Sequence, residues 1–562
     1  MADLHTTNLC VEIISTHFGS LTAKVAQILL NRGRLTVPQL VRFTSLKPRI
    51  VRNILLILIQ QNIVWHAKSE TDGSGDEILE LNADECLMRL RFGTFVYQAE
   101  ELFGVAGGEI VQLILDHGKL TPPQILQRLN PNEGKSPIVY SQALHKLVTL
   151  RYLKPSTVSS HISPRDKRMQ YEAEEKAKIS GFPTSKQLRE AKEIADGRLK
   201  VEAEEAEKIG LKRKAKTQLP LTKKRKTTSA AEEEDMVVDE SVHFRVNFDK
   251  FNIHSRNALI EKTVQERYNA GAALVMRAIL NITEGSQTSV TDVRSEPISI
   301  SNIVLHLSSE EDEETLISGL IQPSSRLMSS GTCIKEYLGL LSNADNPTPA
   351  GRAGAFLELS SKGGGGGGGK VLVLFDIIAR RLRRQVLESV ARERHGAEGV
   401  RVLRLLMDTG KLDEKQISKM AMMPQKDVRP LLAGLSASSL VSTVEVPRSA
   451  DRNPTRTIYL WQVDVPKAFS HILNVLYKTL YNISARRRAQ VDNDLHLVGV
   501  LEKCERSDVS EDVEGLLTPH ENERLKVWKE EEEKLGILER RVEESLFIVR
   551  ELGRAASSAE DD

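Results

Sequence analysis

Along most of the chain apolar residues return every three or four positions, and this helical rhythm is interrupted by short apolar runs around polar loops, which read as strands. Near the start Leu21, Val25, Ile28 and Leu29 share one helical face, and a second stripe of Ile50, Ile54, Leu55 and Leu58 runs along Arg49 to Leu58. Between them lie Gly33-Arg34-Leu35-Thr36 and Gln39-Leu40, which predict a tight turn and a short second helix. Ile63-Val64-Trp65 and Ile78-Leu79-Glu80-Leu81 then flank a polar tip at Gly73 to Asp76, giving strand, loop and strand. Three helices followed by a hairpin make a winged helix.

The same turn recurs. Gly118-Lys119-Leu120-Thr121 precedes Gln124-Ile125, and Gly410-Lys411-Leu412-Asp413 precedes Gln416-Ile417, each after an apolar helical stretch such as Val402, Leu405 and Leu406. A glycine there ends one helix in a conformation closed to side chains, and Thr or Asp three residues later caps the next. The last copy also shows its wing: Leu440 to Val446 and Thr457 to Trp461 flank a loop with Pro447, Arg448, Arg452, Asn453 and Pro454. A divergent copy over roughly 249–375 lacks the turn. It is inferred from one long helix carrying Val264, Tyr268, Ala272, Val275 and Ile279, from two further helices at Ile298 to Leu307 and Cys333 to Leu341, and from strands at Ala355 to Leu359 and Val371 to Phe375 joined by Gly363 to Gly369.

Beyond the last wing, Phe469, Ile472, Leu476, Leu480 and Ile483 keep near-heptad spacing, as do Trp528, Leu535, Leu538, Val542, Val549 and Leu552. Two such helices with a long return segment predict an antiparallel hairpin projecting beside the last winged helix. The fold expected is mainly α with small β wings: four tandem extended winged-helix domains plus a C-terminal antiparallel coiled-coil hairpin. The order is winged helix 1 over 1–82, winged helix 2 over 83–158, and a charged, largely disordered linker over 159–245, in which 170–210, rich in Glu, Lys and Ala, either forms an exposed helix or stays disordered. Winged helix 3 follows over 246–376, winged helix 4 over 377–465, the hairpin over 466–554 and an acidic tail over 555–562.

Charge changes this picture only locally. A formal net charge of +1 excludes a globally basic, DNA-coating protein, so any nucleic-acid contact must come from a patch. The sharpest patch is in the linker, where Lys212, Arg213, Lys214 and Lys216 stand one spacer before Lys223, Lys224, Arg225 and Lys226, the pattern of a nuclear localisation signal. Cys10, Cys86, Cys333 and Cys504 form no CxxC pair, which suggests neither zinc nor disulfides and fits a reducing compartment. No apolar run is long enough to span a bilayer and Met1 to Cys10 lacks the regions of a signal peptide, so a soluble intracellular protein is expected.

Catalytic patterns are missing: there is no HExxH and no GxSxG, and no cofactor or metal is expected. Gly364 to Lys370 matches GxxxxGK, but Val371 replaces the required hydroxyl and begins a strand where a phosphate loop needs a helix. The DNA-binding candidates are cations on third helices, where a winged helix meets the major groove. They are Lys47, Arg49 and Arg52 in the first unit and Lys426 and Arg429 in the last, near Pro430, which is tolerable only if that helix starts close to it. The second unit offers only His145 and Lys146. Arg380, Arg381, Arg383 and Arg384 add a dense patch on a helix whose apolar side holds Ile377, Ile378, Leu382, Val386 and Val390. A solvated helix face accounts for such clusters equally well, and weakly basic winged helices also serve as protein-docking modules.

Three stretches carry a resemblance: Leu9-Cys10 to His17-Phe18-Gly19, Leu87-Met88-Arg89-Leu90-Arg91-Phe92, and Gly108-Glu109-Ile110-Val111 to Gly118-Lys119-Leu120-Thr121. Together with the domain order, they make the chain similar to the winged-helix subunit of RNA polymerase III, which is related in architecture to the large subunit of transcription factor IIE. The resemblance implies a nuclear, non-catalytic subunit that forms a heterotrimer with two other polymerase III subunits on the clamp. It implies roles in promoter recruitment and opening at transfer RNA and 5S ribosomal RNA genes, with RNA synthesis catalysed by other subunits; the weakly basic third helices themselves favour a scaffold with auxiliary contact to promoter DNA. A free-standing winged-helix DNA-binding regulator and a scaffold of another nuclear complex, such as a ubiquitin ligase, are the alternatives.

Overall fold

The computed structural model describes residues 3–68, 77–129, 137–179, 184–213, 236–307, 310–320, 330–343, 355–360, 369–447, 457–504 and 517–558. It divides into two compact units, Met1–Phe251 and Asn252–Asp562.

The first unit opens with α1 (Leu4–Phe18), α2 (Ser20–Arg32), β1 (Leu35–Thr36), α3 (Val37–Thr44), α4 (Pro48–Gln60), β2 (Val64–Lys68) and β3 (Glu77–Leu81). β3 lies between β1 and β2, antiparallel to both. In α2 the buried stripe is Val25, Ala26, Leu29 and Leu30, with Leu21 51 % exposed, so the buried face is turned from the one the sequence suggests. In α4 it is Val51, Ile54, Leu55 and Leu58, with Val51 in the place expected for Ile50.

The second winged helix follows α5 (Ala83–Met88) and comprises α6 (Phe92–Phe103), α7 (Val105–His117), α8 (Pro122–Leu129), α9 (Pro137–Thr149) and β4 (Leu153–Pro155). The partner of β4 is not the next strand in sequence but β7 (Phe244–Val246), and Leu120 pairs with Phe244 on the other side of β7. This repeats the strand order of the first sheet, with the closing strand arriving about ninety residues late. The segment expected as a disordered linker is therefore an insertion within the wing of this domain. Its described parts are ordered: α10 (Pro164–Ala177), α11 (Ser185–Lys208) and the strand pair β5 (Leu211–Arg213) and β6 (Met236–Val238). α10 and α11 pack together through Ala191 and Ala195 and ion pairs such as Arg198–Glu174 (3.0 Å) and Lys167–Glu202 (3.0 Å). Composition misleads here because a highly charged helix pair with small buried residues has the residue content of a disordered segment.

The third domain contains α12 (Phe248–Arg267), α13 (Ala270–Thr283), β8 (Ile298–Ser299), α14 (Ile300–His306), α15 (Glu310–Ser318), α16 (Ser330–Ser342), β9 (Leu357–Ser360) and β10 (Lys370–Val373). The long helix expected at Val264 to Ile279 is two helices: Asn269 breaks it, and its side chain caps α13 by accepting from the Ala272 amide at 2.8 Å. β10 lies between β8 and β9, the same order again. α17 (Phe375–Thr409) leaves this domain and enters the next, bending at Gly396, whose φ of +70° is open to glycine. The fourth domain adds α18 (Glu414–Ala421), α19 (Gln425–Ala437), β11 (Ser442–Pro447) and β12 (Thr457–Gln462), with Leu412 bridging Trp461 to complete the three-strand pattern.

The hairpin consists of α20 (Val465–Asp492), α21 (Leu495–Cys504) and α22 (Pro519–Ser558). Antiparallel pairing is held by Arg487 with Glu532 (2.7 Å) and Glu539 (2.6 Å). It is not simply a projection beside the last winged helix. Phe547 and Leu552 enter the core of the third domain, and Val549 joins Phe469 and Ile472 in the core of the fourth. The C-terminal turns of α22 are thus shared by two cores, whereas Leu538, on the expected heptad seam, is 44 % exposed. Among the described residues no helix is long and apolar enough to cross a membrane.

Candidate nucleic-acid interface

The repeated glutamine acquires a role from geometry. Gln39, Gln124 and Gln416 each turn back so that Oε1 accepts the amide of the capping residue, at Thr36 (3.0 Å), Thr121 (3.2 Å) and Asp413 (3.1 Å). The repeat thus starts the second helix of each of these units with a glutamine cap, reciprocal at Thr36 and Asp413, and fixes where the third begins. In the first unit Pro48 at the start of α4 supplies a φ suited to a first turn and has no amide to leave unpaired. Burial of Val51, Ile54, Leu55 and Leu58 leaves Lys47, Arg49 and Arg52 exposed, and their side chains form no ion pair among the described residues.

The other basic candidates are placed differently. Arg429 reaches back to Glu414 (2.6 Å), while Lys426 is exposed with no such partner among the described residues. α19 is continuous through Pro430, which stands five residues after its start and leaves the Lys426 carbonyl without its usual amide donor. The dense arginine patch is used inside the second unit. Arg380 pairs with Asp376 (2.5 Å), and Arg384 with Glu388 (3.0 Å) and Asp408 (2.8 Å). Arg381 lies over the Phe356 ring (4.8 Å) and Arg383 over Phe469 (4.0 Å). Arg380 and Arg384 are thus held by carboxylates of α17 itself, while Arg381 and Arg383 stack on rings outside it, in the third domain and in α20. Of the basic run in the insertion, Lys212 pairs with Asp239 (2.7 Å) and Arg213 ends β5; Lys214, Lys216, Lys223, Lys224, Arg225 and Lys226 lie outside the described residues.

Sequence reasoning missed a polar joint between the first two winged helices. Gln60 Nε2 donates to the carbonyls of His117 (3.1 Å) and Lys119 (2.9 Å), and Gln61 Nε2 to that of Asp116 (2.7 Å). The carbonyl of Gln60 lies so close to Gly118 that a Cβ there would meet it at 2.3 Å. Arg89 donates to Gln61 Oε1 (2.6 Å) and stacks on Phe18 (4.5 Å), which fixes the orientation of α4. Beside the joint, Lys119 Nζ sits 2.7 Å from His161 Nε2. Burial first, with the nearby cations adding to it, lowers His161 to about 4 and Lys119 to about 8, so a neutral imidazole accepts from the ammonium. Burial likewise raises Glu85, which lies 3.9 Å from Arg245. No linear motif signals this cluster, because its members come from α5, the turn after α7, the insertion and β7.

Among the described residues no group of His, Cys, Asp and Glu could hold a metal ion. Lys370 begins β10 and Val371 is buried in it, so the glycine run ends in a strand, and residues 361–368 lie outside the described residues.

Four family models match the chain: the RNA polymerase III subunit RPC82 helix-turn-helix domain over residues 8–68, RNA polymerase III subunit RPC82 over 142–345, the C-terminal winged-helix domain of POLR3C over 387–463, and the helical hairpin domain of DNA-directed RNA polymerase III subunit RPC3 over 499–548. The chain is 26 % identical over 567 residues to DNA-directed RNA polymerase III subunit RPC3 of Danio rerio, covering 96 % of this chain and 97 % of that protein. It is 24 % identical over 571 residues to the same subunit of Homo sapiens, again covering 96 % and 97 %, and 26 % identical over 644 residues to that of Aspergillus clavatus, covering 98 % and 100 %.

Proposed function

The chain belongs to the RNA polymerase III subunit RPC82 family and is a subunit of RNA polymerase III, and from that premise we propose how it works there. It acts in the nucleus without catalysing RNA synthesis, held in a heterotrimer with two other polymerase III subunits on the clamp. Its winged helices dock protein, and the first also touches promoter DNA during recruitment and opening at small-RNA genes.

One observation carries the DNA part: the only third helix with three exposed cations and no ion pair to occupy them among the described residues is α4, with Lys47, Arg49 and Arg52. Such groups neutralise phosphates, and each phosphate contact contributes about 0.9 to the slope of log affinity against log salt. The fixed joint at Gln60 and Gln61 supports this reading, because it holds the helix rigidly at its far end. The test is charge reversal of all three residues in the assembled polymerase. Promoter opening on a transfer RNA gene, followed by permanganate reactivity of the melted strand, should weaken, with a salt slope shallower by about 2 to 3. Unchanged opening and an unchanged slope would remove α4 from the DNA path.

A further inference from the structure

The fourth winged helix carries a surface that DNA contact leaves unexplained. Met422, in the turn between α18 and α19, is 89 % exposed and has a φ of +55°, a left-handed conformation that side chains disfavour. The matching turn of the first winged helix adopts the same conformation with Ser45, φ +56°, so the turn itself has no need of a methionine. Met420, two residues earlier, is 50 % exposed. Lys415 and Lys419 stand one helical turn apart on the exposed side of α18, whose buried side holds Ile417 and Ala421, and Lys426 follows in the first turn of α19. All three lysines are exposed, and none forms an ion pair among the described residues. Of the acids in this segment, Glu414 is occupied by Arg429, Asp413 caps α18, and Asp427 is exposed.

Met422 on the turn is almost wholly solvated and Met420, at the end of α18, is half exposed, so neither side chain is used fully within this chain. The left-handed backbone belongs to the turn, but the methionine on it does not, and methionine is the side chain that adapts best to a foreign apolar cavity. The lysines specify the charge of that partner. We propose that this turn docks on an acidic polypeptide segment of another polymerase subunit, with Met422 and Met420 in its apolar cavity and Lys415, Lys419 and Lys426 against its carboxylates. A phosphate backbone would use the lysines but offers no cavity for the thioethers, which is why the occupant is protein. The proposal rests on the chain being a polymerase subunit and specifies one of its docking faces.

The experiment uses purified polymerase carrying p-benzoylphenylalanine in place of Met422, with mapping of the photo-adduct by mass spectrometry, alongside Met422→Ser and the triple reversal Lys415→Glu, Lys419→Glu, Lys426→Glu. The adduct should fall on a polypeptide segment rich in Asp and Glu. Met422→Ser, which copies the first repeat, should leave the thermal midpoint of the free chain unchanged or higher yet speed its dissociation from the polymerase roughly fivefold or more. The lysine reversal should make that dissociation more sensitive to salt. An adduct to DNA, or no protein adduct with dissociation of Met422→Ser unchanged, overturns the docking face alone. An unsubstituted chain that never assembles with the polymerase overturns the subunit reading and this proposal with it.

Discussion

Gly118→Ala separates what the repeat demands from what the joint demands. Gly33, Gly118 and Gly410 occupy the same turn in three repeats, with φ of +81°, +82° and +85°. An alanine at any of them is forced into a backbone region that costs about 1–3 kcal/mol. At Gly33 and Gly410 the new Cβ meets nothing within 4 Å, so that is the whole cost. At Gly118 it lies 2.3 Å from the Gln60 carbonyl oxygen and 3.0 Å from the Gln61 Cα, so backbone must separate from backbone. The three hydrogen bonds from Gln60 and Gln61 to residues 116, 117 and 119 are lost with the separation. At about 0.5–1.5 kcal/mol each they add roughly 1.5–4.5 kcal/mol, or roughly ten- to two-thousandfold in an opening equilibrium. Native-state hydrogen exchange of the full chain reads this locally, which suits a multidomain protein whose global unfolding is not two-state. Protection of the α4 and α7 amides should fall in Gly118→Ala well beyond the loss that Gly33→Ala or Gly410→Ala causes in its own domain. Equal losses at the three glycines would refute the joint as a fixed contact.

Arg256 is 2 % exposed, stacks on Phe375 at 3.8 Å and donates to the Val290 carbonyl (3.1 Å) and Gln287 Oε1 (2.8 Å). Arg256→Met keeps much of the volume but removes the donor to the buried Val290 carbonyl and leaves Gln287 Oε1 with Asn257 Nδ2 (3.3 Å), so about 2 kcal/mol is expected to be lost, read as a lowered thermal midpoint or faster proteolysis within 252–342. The His161–Lys119 contact gives a pH dependence. His161 is lowered from 6.5 to about 4, so between those values the unfolded chain binds a proton that the folded chain does not, and stability falls as pH falls through that window. For Lys119, lowered from 10.5 to about 8, the same rule makes stability rise with pH between 8 and 10.5. His161→Gln, which can still accept from Lys119, should flatten the acid limb in melts recorded from pH 7 to 4, and an unaltered slope would assign the acid loss elsewhere.

Whatever is local and repeated can be read along the chain. Gly33, Gly118 and Gly410 with the glutamines six residues later mark three turns, because a positive φ and a glutamine cap each depend on residues within one helical turn. The wings at 64–81 and 442–462 were legible for the same reason, being hairpins with alternating or clustered apolar residues. The exposed face of Lys47, Arg49 and Arg52 is legible from the spacing of Ile50, Ile54, Leu55 and Leu58, although the structure buries Val51 in place of Ile50. Tertiary structure decided what depends on distant residues. β4 pairs with β7 across an ordered insertion, and nothing near Leu153 announces Val246 as its partner. Asp408 lies 2.8 Å from Arg384 only because α17 bends at Gly396 between them. The C-terminal helix reads as a free hairpin arm, yet Phe547, Val549 and Leu552 complete two cores whose other residues lie tens to hundreds of positions earlier. Periodicity reports which face of a helix is buried; which element covers it is set by long-range packing, whose partners leave no mark at a fixed spacing in the chain.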